Sequence, residues 1–348
     1  MKNFREFFRV EQLPVFQNRM FNTRQEAIQC TKGDIVLVED EETGLCYNSV
    51  FNPELMTYGG DYQNEQAVSS VFKNHLQDVT GIVQKNFNGQ SLVEVGCGKG
   101  YFLERLLEAK FSITGFDPTY EGSNPAVVKK YFTPEVEFRA DGIILRHVLE
   151  HVQDPYSFLQ GISNSNGGQG KIYIEVPCFD WICQHRAWFD VFYEHVNYFR
   201  LSDFHRMFGT VQDSGLIFGG QYIYVVADLK TLRKPIYDSK TAISFPKDFT
   251  ASINKYSLNK QATVWGGASK GVTFSIYMQR AGCEVSCVID INPAKQGKFI
   301  GVTGIQIVSP EQGLRDLKLG SDIFVMNGNY IDEIRAQTKS LYNLIKID

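Results

Sequence analysis

The stretch SLVEVGCGKGYFLERLLEA, residues 91–109, decides how this chain folds. Its first five residues form a short apolar run typical of a buried strand, and its last nine predict a helix with leucines on one face. Gly96, Gly98 and Gly100 alternate with other residues between these two elements. Each missing Cβ lets a ligand approach the backbone closely, and the start of the helix presents free N–H groups. The stretch therefore predicts a ligand-binding loop at one edge of a parallel α/β sheet.

A second predicted strand, residues 111–116, ends at Asp117, where an acid can accept both hydroxyls of a ribose. The spacing G-x-G-x-G, in place of G-x-G-x-x-G, favours S-adenosylmethionine (SAM) over a dinucleotide. SAM has no pyrophosphate that requires the third glycine's helix contact. The alternative is a glycine turn kept only for tight packing. The predicted cofactor-binding residues are Glu94, Gly96, Gly98, Gly100 and Asp117.

Strands alternate with helices along the rest of the chain, which favours a parallel sheet covered on both faces. After a polar stretch at about 230–249, a second strand–glycine loop–helix–strand unit begins near residue 262 and ends at Asp290. A strand at 322–326 and a helix at 330–344 are predicted to follow it. The predicted fold class is α/β, with a small N-terminal module (1–68), a Rossmann-like domain (69–235) and a second Rossmann-like C-terminal domain (236–348).

Composition excludes several classes of protein. The 348 residues carry a net charge of −4 without a basic run, so no nucleic-acid partner is expected. No apolar run approaches the roughly 18 residues of a membrane span, and the first residues lack the apolar segment of a secretory signal. The seven cysteines are an odd number without a CxxC pair, which favours free thiols and a cytoplasmic location.

Two histidine clusters follow predicted strand ends, where the ligand crevice of such sheets lies. In RHVLEH, residues 146–151, His147 and His151 would share a face of a helix. That spacing can suit a metal, yet no third ligand has an obvious spacing, so no metal site is predicted. In Glu194-His195, a carboxylate adjoins an imidazole that can act as a general base near neutral pH. The alternative for the first cluster is a histidine at a helix start that is bonded to the backbone. The alternative for the second is an aromatic surface strand with an incidental ion pair.

The second glycine loop, Gly266 to Gly271, contains Ser269 and Lys270 at the start of a predicted helix. These side chains and the N–H groups at the helix start can donate hydrogen bonds to a phosphate oxygen. The alternative is a Rossmann-like domain whose site is vestigial. Asp290 would suit a ribose, or it caps the following turn.

Taken together, VEVGCGKGYFLERL, GFDPTYEG, RHVLEHVQDP, EVP and YEHVNYF resemble class I SAM-dependent methyltransferases. With the N-terminal and C-terminal segments, nearly the whole chain resembles the sugar C-methyltransferases that act at C3 of deoxysugar nucleotides. The resemblance implies that Gly96, Gly98 and Asp117 hold SAM. It places His151 and His195 near the reacting sugar carbon, with His195 as the base. It also implies that Glu194 binds substrate and that Tyr62 closes the cleft, and the adjacent Tyr193 is a further predicted substrate-binding residue.

Two departures from this family bear on the chemistry. Only Cys30 and Cys46 remain where the N-terminal module of the family carries four zinc ligands, so zinc is expected to be lost. Phe192 stands where the C3-methylating enzymes carry a tyrosine, which leaves C- or O-methylation open. The implied partner is a nucleotide-linked or phosphorylated sugar, bound by a monomer or homodimer. The alternatives are methylation of another small molecule, a nicotinamide-dependent oxidoreductase and a non-catalytic SAM-binding protein.

Overall fold

A computed structural model describes residues 3–56 and 69–348 of the chain. The predicted cleft-closing residue Tyr62 lies outside these ranges. Within the described ranges, no helix is long and apolar enough to cross a lipid bilayer. The short 3₁₀ turns lie at Pro53–Leu55, Pro134–Val136, Leu149–His151, Trp188–Asp190, Leu229–Thr231, Ser239–Thr241 and Gly328–Tyr330.

The N-terminal region forms a small antiparallel sheet. Its elements are β1 (Phe4–Pro14), β2 (Met20–Phe21), α1 (Arg24–Ile28), β3 (Lys32–Asp40) and β4 (Cys46–Asn48). Strand β3 is central, because it pairs with β1 on one side and β4 on the other. Its buried run Ile35 to Val38 is the apolar centre of the region.

The middle region has the alternating pattern that the sequence predicts. Its helices are α2 (Ser70–Phe87), α3 (Tyr101–Glu108), α4 (Pro155–Ser165), α5 (Phe179–Gln184) and α6 (Leu201–Met207). Its strands are β5 (Ser91–Val95), β6 (Ser112–Phe116), β7 (Val127–Val128), β8 (Gly142–Arg146), β9 (Lys171–Pro177), β10 (Asn197–Tyr198), β11 (Val211–Ile217) and β12 (Tyr222–Asp228).

Seven of these strands form one sheet in the order β11-β12-β9-β8-β5-β6-β7. Strands β5 to β9 run parallel, whereas β11 and β12 form an antiparallel edge. The central strands β5, β8 and β9 are buried almost throughout, as strands covered on both faces are. Because they are parallel, their carboxyl ends meet at one edge, and the glycine loop and the first histidine cluster follow those ends.

The C-terminal region repeats the parallel architecture. Its elements are α7 (Ser252–Tyr256), β13 (Gln261–Trp265), α8 (Ser269–Arg280), β14 (Glu284–Ile289), β15 (Phe299–Ile300), β16 (Ile307–Val308), α9 (Pro310–Arg315), β17 (Asp322–Val325), α10 (Ile331–Gln337) and β18 (Asn343–Lys346). Five strands form a parallel sheet in the order β16-β14-β13-β17-β18. The second Rossmann-like unit is therefore present.

The predicted helix at 330–344 is wrong over its second half. Helix α10 ends at Gln337, and Lys339 and Ser340 adopt positive φ angles of 52° and 56° that a right-handed helix does not allow. The chain then pairs as β18 beside β17. A helical pattern in the sequence does not reveal this pairing, because the partner strand lies elsewhere in the chain.

The three regions share their sheets and their core. Strand β10, from the middle of the chain, extends the N-terminal sheet through β4, and β2 pairs with β15 of the C-terminal region. One hydrophobic core contains Val10, Leu145 and Val264, one residue from each region. The segment at about 230–249 holds only two short 3₁₀ turns, which agrees with the polar, helix-poor pattern of its sequence.

Candidate active site

The glycine loop after β5 has the open backbone that its sequence predicts. Gly96, Gly98 and Gly100 adopt φ angles of 72°, 54° and 79°, in the left-handed region that favours glycine. A Cβ atom on Gly98 would meet no atom within 4 Å, so this backbone faces open space. Gly100 precedes α3 and gives its N-terminal N–H groups no side-chain cap. The loop therefore offers backbone donors and room to a ligand.

Asp117 lies at the end of β6, directly beside this loop. Its Oδ2 accepts a hydrogen bond from the backbone N–H of Gly98 at 2.8 Å. Its Oδ1 accepts from the backbone N–H and the hydroxyl of Thr119, at 2.8 and 2.7 Å. These bonds fix the carboxylate at the rim of the loop, and each oxygen retains acceptor capacity for a hydroxyl.

Glu94 is a buried carboxylate on β5, two residues before Gly96. Only 3% of its surface is exposed, and its Oε2 accepts no hydrogen bond within the described residues. Burial raises the pKa of Glu94 to about 7, although the nearby Arg146 lowers it. An unsatisfied buried oxygen beside an open glycine cradle suits a cationic ligand. The residues present therefore fit SAM, whose methionine end carries an ammonium and whose sulfur is cationic.

His147 does not share a helical face with His151, contrary to the sequence prediction. It has a φ of 50°, and only a single 3₁₀ turn, Leu149–His151, follows it. Its Nε2 lies 3.2 Å from Oε1 of Glu175, a fully buried carboxylate that also binds His75 and Arg146. Burial alone would lower the pKa of His147, but the carboxylates of Glu150 and Glu175 raise it to about 9. His147 is thus a cation that follows β8 and pairs with the buried carboxylates of Glu150 and Glu175.

His151 instead faces His195, with ring centroids 5.0 Å apart and the rings nearly perpendicular. The Nδ1 of His151 lies 2.7 Å from the backbone carbonyl of Glu194, and the backbone N–H of Val196 donates to the carbonyl of Glu150 at 2.8 Å. Burial, and then the charges of His151, His147 and Lys270, hold the pKa of His195 well below its usual range. His195 is therefore a neutral imidazole at pH 7.

Glu150 completes this group, and sequence reasoning missed it. One ligand-type atom from each of Glu150, His151 and His195 lies within 4.8 Å of the other two. Within residues 3–56 and 69–348, this is the one such cluster of three acidic, histidine or cysteine side chains. The only local signal of this cluster in the sequence was the pair Glu150-His151 after the end of β8. His195, the third member, lies 44 residues further along the chain.

The histidine pair and the glycine loop are neighbours. A Cβ atom on Gly96 would lie only 2.6 Å from Cγ2 of Val148, so the chain after β8 packs directly on the loop. His151 follows Val148 by one short turn. The structure therefore brings the predicted cofactor residues and the predicted catalytic histidines to one edge of the sheet.

Tyr193 and Glu194 face the N-terminal region. The backbone N–H of Asn52 donates to the Tyr193 hydroxyl at 2.8 Å, and the Tyr193 ring packs over Gly33. The backbone N–H of Gln17 donates to Oε2 of Glu194 at 2.9 Å. Both side chains are buried. They dock the N-terminal region against the histidine pair, and their predicted contact with substrate stays a prediction.

The second glycine loop has the same internal bond as the first. The backbone N–H of Gly267 donates to Oδ2 of Asp290 at 2.8 Å, as Gly98 does to Asp117. Ser269 begins α8, and the next residue, Lys270, has its Nζ 3.1 Å from Oδ2 of Asp190. With 17% of its side chain exposed, Lys270 lies between the two Rossmann-like regions. A phosphate that binds Lys270 has to compete with Asp190.

The family comparisons divide the chain into two matched segments. Residues 69–215 match a family described as a methyltransferase domain. Residues 240–344 match a family described as the C-methyltransferase C-terminal domain. The first segment contains the glycine loop and the histidine pair, and the second contains Lys270.

Comparisons with individual proteins give more distant similarities. The tRNA U34 carboxymethyltransferase of Campylobacter curvus (strain 525.92) is 26% identical over 110 residues, which are 27% of this chain and 37% of that protein. The chain thus spans little more than a third of that relative. A protein from Pyrococcus horikoshii OT3 has a TM-score of 0.38 at 11% identity, covering 49% of this chain and 99% of that one. The 1,6-didemethyltoxoflavin-N1-methyltransferase of Burkholderia thailandensis has a TM-score of 0.36 at 15% identity, covering 53% and 95%.

Proposed function

We propose that this SAM-dependent methyltransferase methylates a nucleotide-linked or otherwise phosphorylated sugar, with His195 as the general base. Bound SAM supplies a methyl group already activated by its sulfonium. In the transfer, a nucleophilic carbon or oxygen of the sugar forms a bond to the methyl carbon. The carbon–sulfur bond breaks with its electron pair left on sulfur, and the substrate proton goes to the base. The chain's own contribution is to orient the substrate and accept that proton.

The observation that carries this proposal is the neutral, buried His195 beside His151, next to the glycine loop. A general base has to be unprotonated before it acts, and the low pKa of His195 keeps its imidazole neutral at pH 7. His151 is fixed through Nδ1 by the carbonyl of Glu194, which leaves Nε2 as the ring nitrogen outside that bond. In this proposal, that nitrogen stabilises negative charge on the substrate oxygen next to the reacting atom.

The cofactor would be held by the residues around the first glycine loop. Gly96 to Gly100 give backbone donors and room, Asp117 accepts the ribose hydroxyls, and Glu94 pairs with the cationic methionine end. Each of these assignments uses an acceptor or an open space that the structure describes. In this proposal, they hold the methyl donor beside the histidine pair.

Support for transfer to carbon, and for a phosphorylated substrate, comes from the C-terminal region. The family that it matches is described as belonging to C-methyltransferases, which favours transfer to carbon over oxygen. A carbon next to a carbonyl group can lose its proton to an imidazole, because the resulting negative charge moves onto the carbonyl oxygen. Ser269 and Lys270 at the start of α8 are the candidate donors to the substrate phosphate.

A methyl-transfer assay across a substrate panel tests this function. The panel contains nucleotide sugars with and without a keto group, sugar phosphates, the same sugars without phosphate, and unmodified tRNA. Mass spectrometry reads the mass of each product. We expect a gain of one methyl group on a phosphorylated sugar only. Methylation confined to tRNA or to unphosphorylated compounds would contradict the proposal.

The site of methylation has its own test. The enzyme is incubated in D₂O with the sugar substrate that the panel identifies. S-adenosylhomocysteine replaces SAM, so that no methyl donor is present. C-methylation requires removal of a carbon-bound proton, so deuterium should enter the substrate, and the His195→Ala variant should abolish this exchange. An absence of deuterium in this incubation, together with a methyl group on oxygen in the assay with SAM, would establish O-methylation instead.

A further inference from the structure

Glu150, His151 and His195 form a compact group of one carboxylate and two imidazoles. Their ligand-type atoms lie within 4.8 Å of one another. Four-coordinate metal ions hold nitrogen and oxygen ligands at about 2.0–2.2 Å, so their ligand atoms lie roughly 3.3–3.6 Å apart. Binding of an ion therefore requires the side chains to close in from separations of up to 4.8 Å.

The backbone around the group is already fixed. The 3₁₀ turn that carries Glu150 and His151 is joined to the loop of His195 by the bond from Val196 N–H to the Glu150 carbonyl. The Nδ1–H of His151 donates to the carbonyl of Glu194, so Nε2 keeps its lone pair for a ligand bond. Metal-binding histidines are commonly oriented by such a bond from the other ring nitrogen to a carbonyl.

Glu150 supplies an independent observation that points to a cation. Only 1% of it is exposed, and neither carboxylate oxygen accepts a hydrogen bond from the described residues. His147 approaches Oε1 at 3.3 Å as an ion pair, so Oε2 is the oxygen left without a partner among the described residues. A buried carboxylate with unsatisfied oxygens is costly unless it is paired or coordinates a metal.

We propose that Glu150, His151 and His195 bind one divalent transition-metal ion, with Zn²⁺ as the best match to their chemistry. Two imidazole nitrogens and one carboxylate oxygen suit Zn²⁺ and its transition-metal neighbours, whereas Mg²⁺ and Ca²⁺ prefer oxygen ligands. Three protein ligands leave a fourth position for water or substrate. This site is separate from the N-terminal cysteines, where the family resemblance would place zinc.

One consequence of the site rests on the proposed function. The lone pair of His195 that binds the ion is the one that proton removal requires. The ion and the base therefore exclude each other, and we expect Zn²⁺ to inhibit methyl transfer to carbon and a chelator to restore it. Zinc would then act as a reversible inhibitor of this enzyme rather than as part of its catalytic cycle.

Metal titration of the whole protein tests the site without reference to activity. The protein is stripped with a chelator and titrated with Zn²⁺ by calorimetry and with Co²⁺ by visible absorption, which reports coordination geometry. We expect one equivalent of each ion to bind, a tetrahedral Co²⁺ spectrum, and a rise in Tm with Zn²⁺. The variants Glu150→Gln, His151→Ala and His195→Ala should each weaken binding by at least about tenfold.

Two control variants distinguish metal binding at this site from metal binding by other thiols and histidines. His205→Ala removes an exposed histidine from α6, and the double variant Cys30→Ser, Cys46→Ser removes both N-terminal candidate ligands. Both should bind the ions as the wild type does. Circular dichroism confirms that each variant is folded before it is titrated. The proposal is overturned if no equivalent binds, or if binding is lost in the cysteine variant and kept in Glu150→Gln.

The activity arm distinguishes the two proposals. If metal-free protein methylates the sugar but binds no zinc, the metal site fails and the proposed function stands. If the protein binds zinc through the three residues but methylates no sugar in the panel, the site stands and the proposed function fails.

Discussion

The Nζ of Lys270 lies 3.1 Å from Oδ2 of Asp190 and donates to Oε1 of Gln221 at 2.9 Å. Lys270 belongs to the first turn of α8, whereas Asp190 and Gln221 belong to the middle region of the chain. The cation therefore joins the two Rossmann-like regions. Burial raises the pKa of Asp190, and the charge of Lys270 partly offsets this effect.

Substitution of Lys270 tests its role toward substrate. If Lys270 binds the substrate phosphate, Lys270→Ala should raise the KM for the phosphorylated sugar while kcat falls less. A contact with a remote phosphate stabilises the ground state and the transition state about equally. SAM affinity should not change. Steady-state kinetics and SAM titration measure these constants.

Asp190→Asn is the matched control, because it weakens the internal partner and leaves the cation in place. We expect it to leave KM unchanged or to lower it. An unchanged KM in Lys270→Ala, together with a lowered Tm, would instead assign Lys270 to the joint between the two regions.

Substitution of Asp117 tests the cofactor site. Asp117→Ala leaves the ribose hydroxyls unpaired and frees the N–H of Gly98, so SAM affinity should fall by about 1–3 kcal/mol, or roughly five- to 150-fold. Asp290→Ala removes the equivalent bond to Gly267 in the second unit. It should leave SAM affinity unchanged in a calorimetric titration. The reverse result would place SAM in the C-terminal region, and binding of NAD in its place would exclude the cofactor assignment.

The pKa of Glu94 predicts how SAM affinity depends on pH. With a pKa of about 7, its carboxylate becomes ionised as the pH rises through neutrality. An anion at this position attracts the cationic cofactor, so affinity should increase from pH 6 to pH 8. Glu94→Gln should flatten that dependence. A profile that is equally steep in the variant would rule out Glu94 as the titrating group.

Glu94 also makes a prediction for stability without cofactor. Its pKa is raised on folding, so the folded state binds the proton more tightly than the unfolded state does. The stability that this proton gives is complete below the unfolded pKa of about 4.5 and is lost as the pH rises through about 7. Glu94→Gln should therefore be more stable than the wild type at pH 8, with a smaller difference at pH 5, in denaturant titrations at both pH values.

Substitution of His195 tests the base. His195→Ala should lower kcat by on the order of 10²–10⁴ while SAM affinity stays nearly unchanged, because proton removal and cofactor binding use different groups. His205→Ala provides a control with an exposed imidazole. Near-normal turnover in His195→Ala would assign the base elsewhere, with His151 as the next candidate, and would favour O-methylation.

The sequence by itself determined those structural features that depend on residues close together in the chain. Alternating glycines after an apolar run predict the first loop, and the same signals near residue 262 predict the second unit. Both α/β regions were predicted, because strand length, helical periodicity and glycine placement are local properties. The final strand, β18, was missed, because its only distinguishing feature is a partner strand about 20 residues away.

The tertiary structure alone decided which polar residues meet. It turns His147 toward Glu175 and away from His151, although the two histidines are four residues apart. It brings His195 across 44 positions to face His151 and adds the buried Glu150. It also pairs Lys270 with Asp190. The physical reason is that parallel strands place their carboxyl ends, and the loops that follow them, at one edge, so contacts there depend on strand order and loop packing. Local sequence patterns do not encode that order, and the chemistry of the site depends on it.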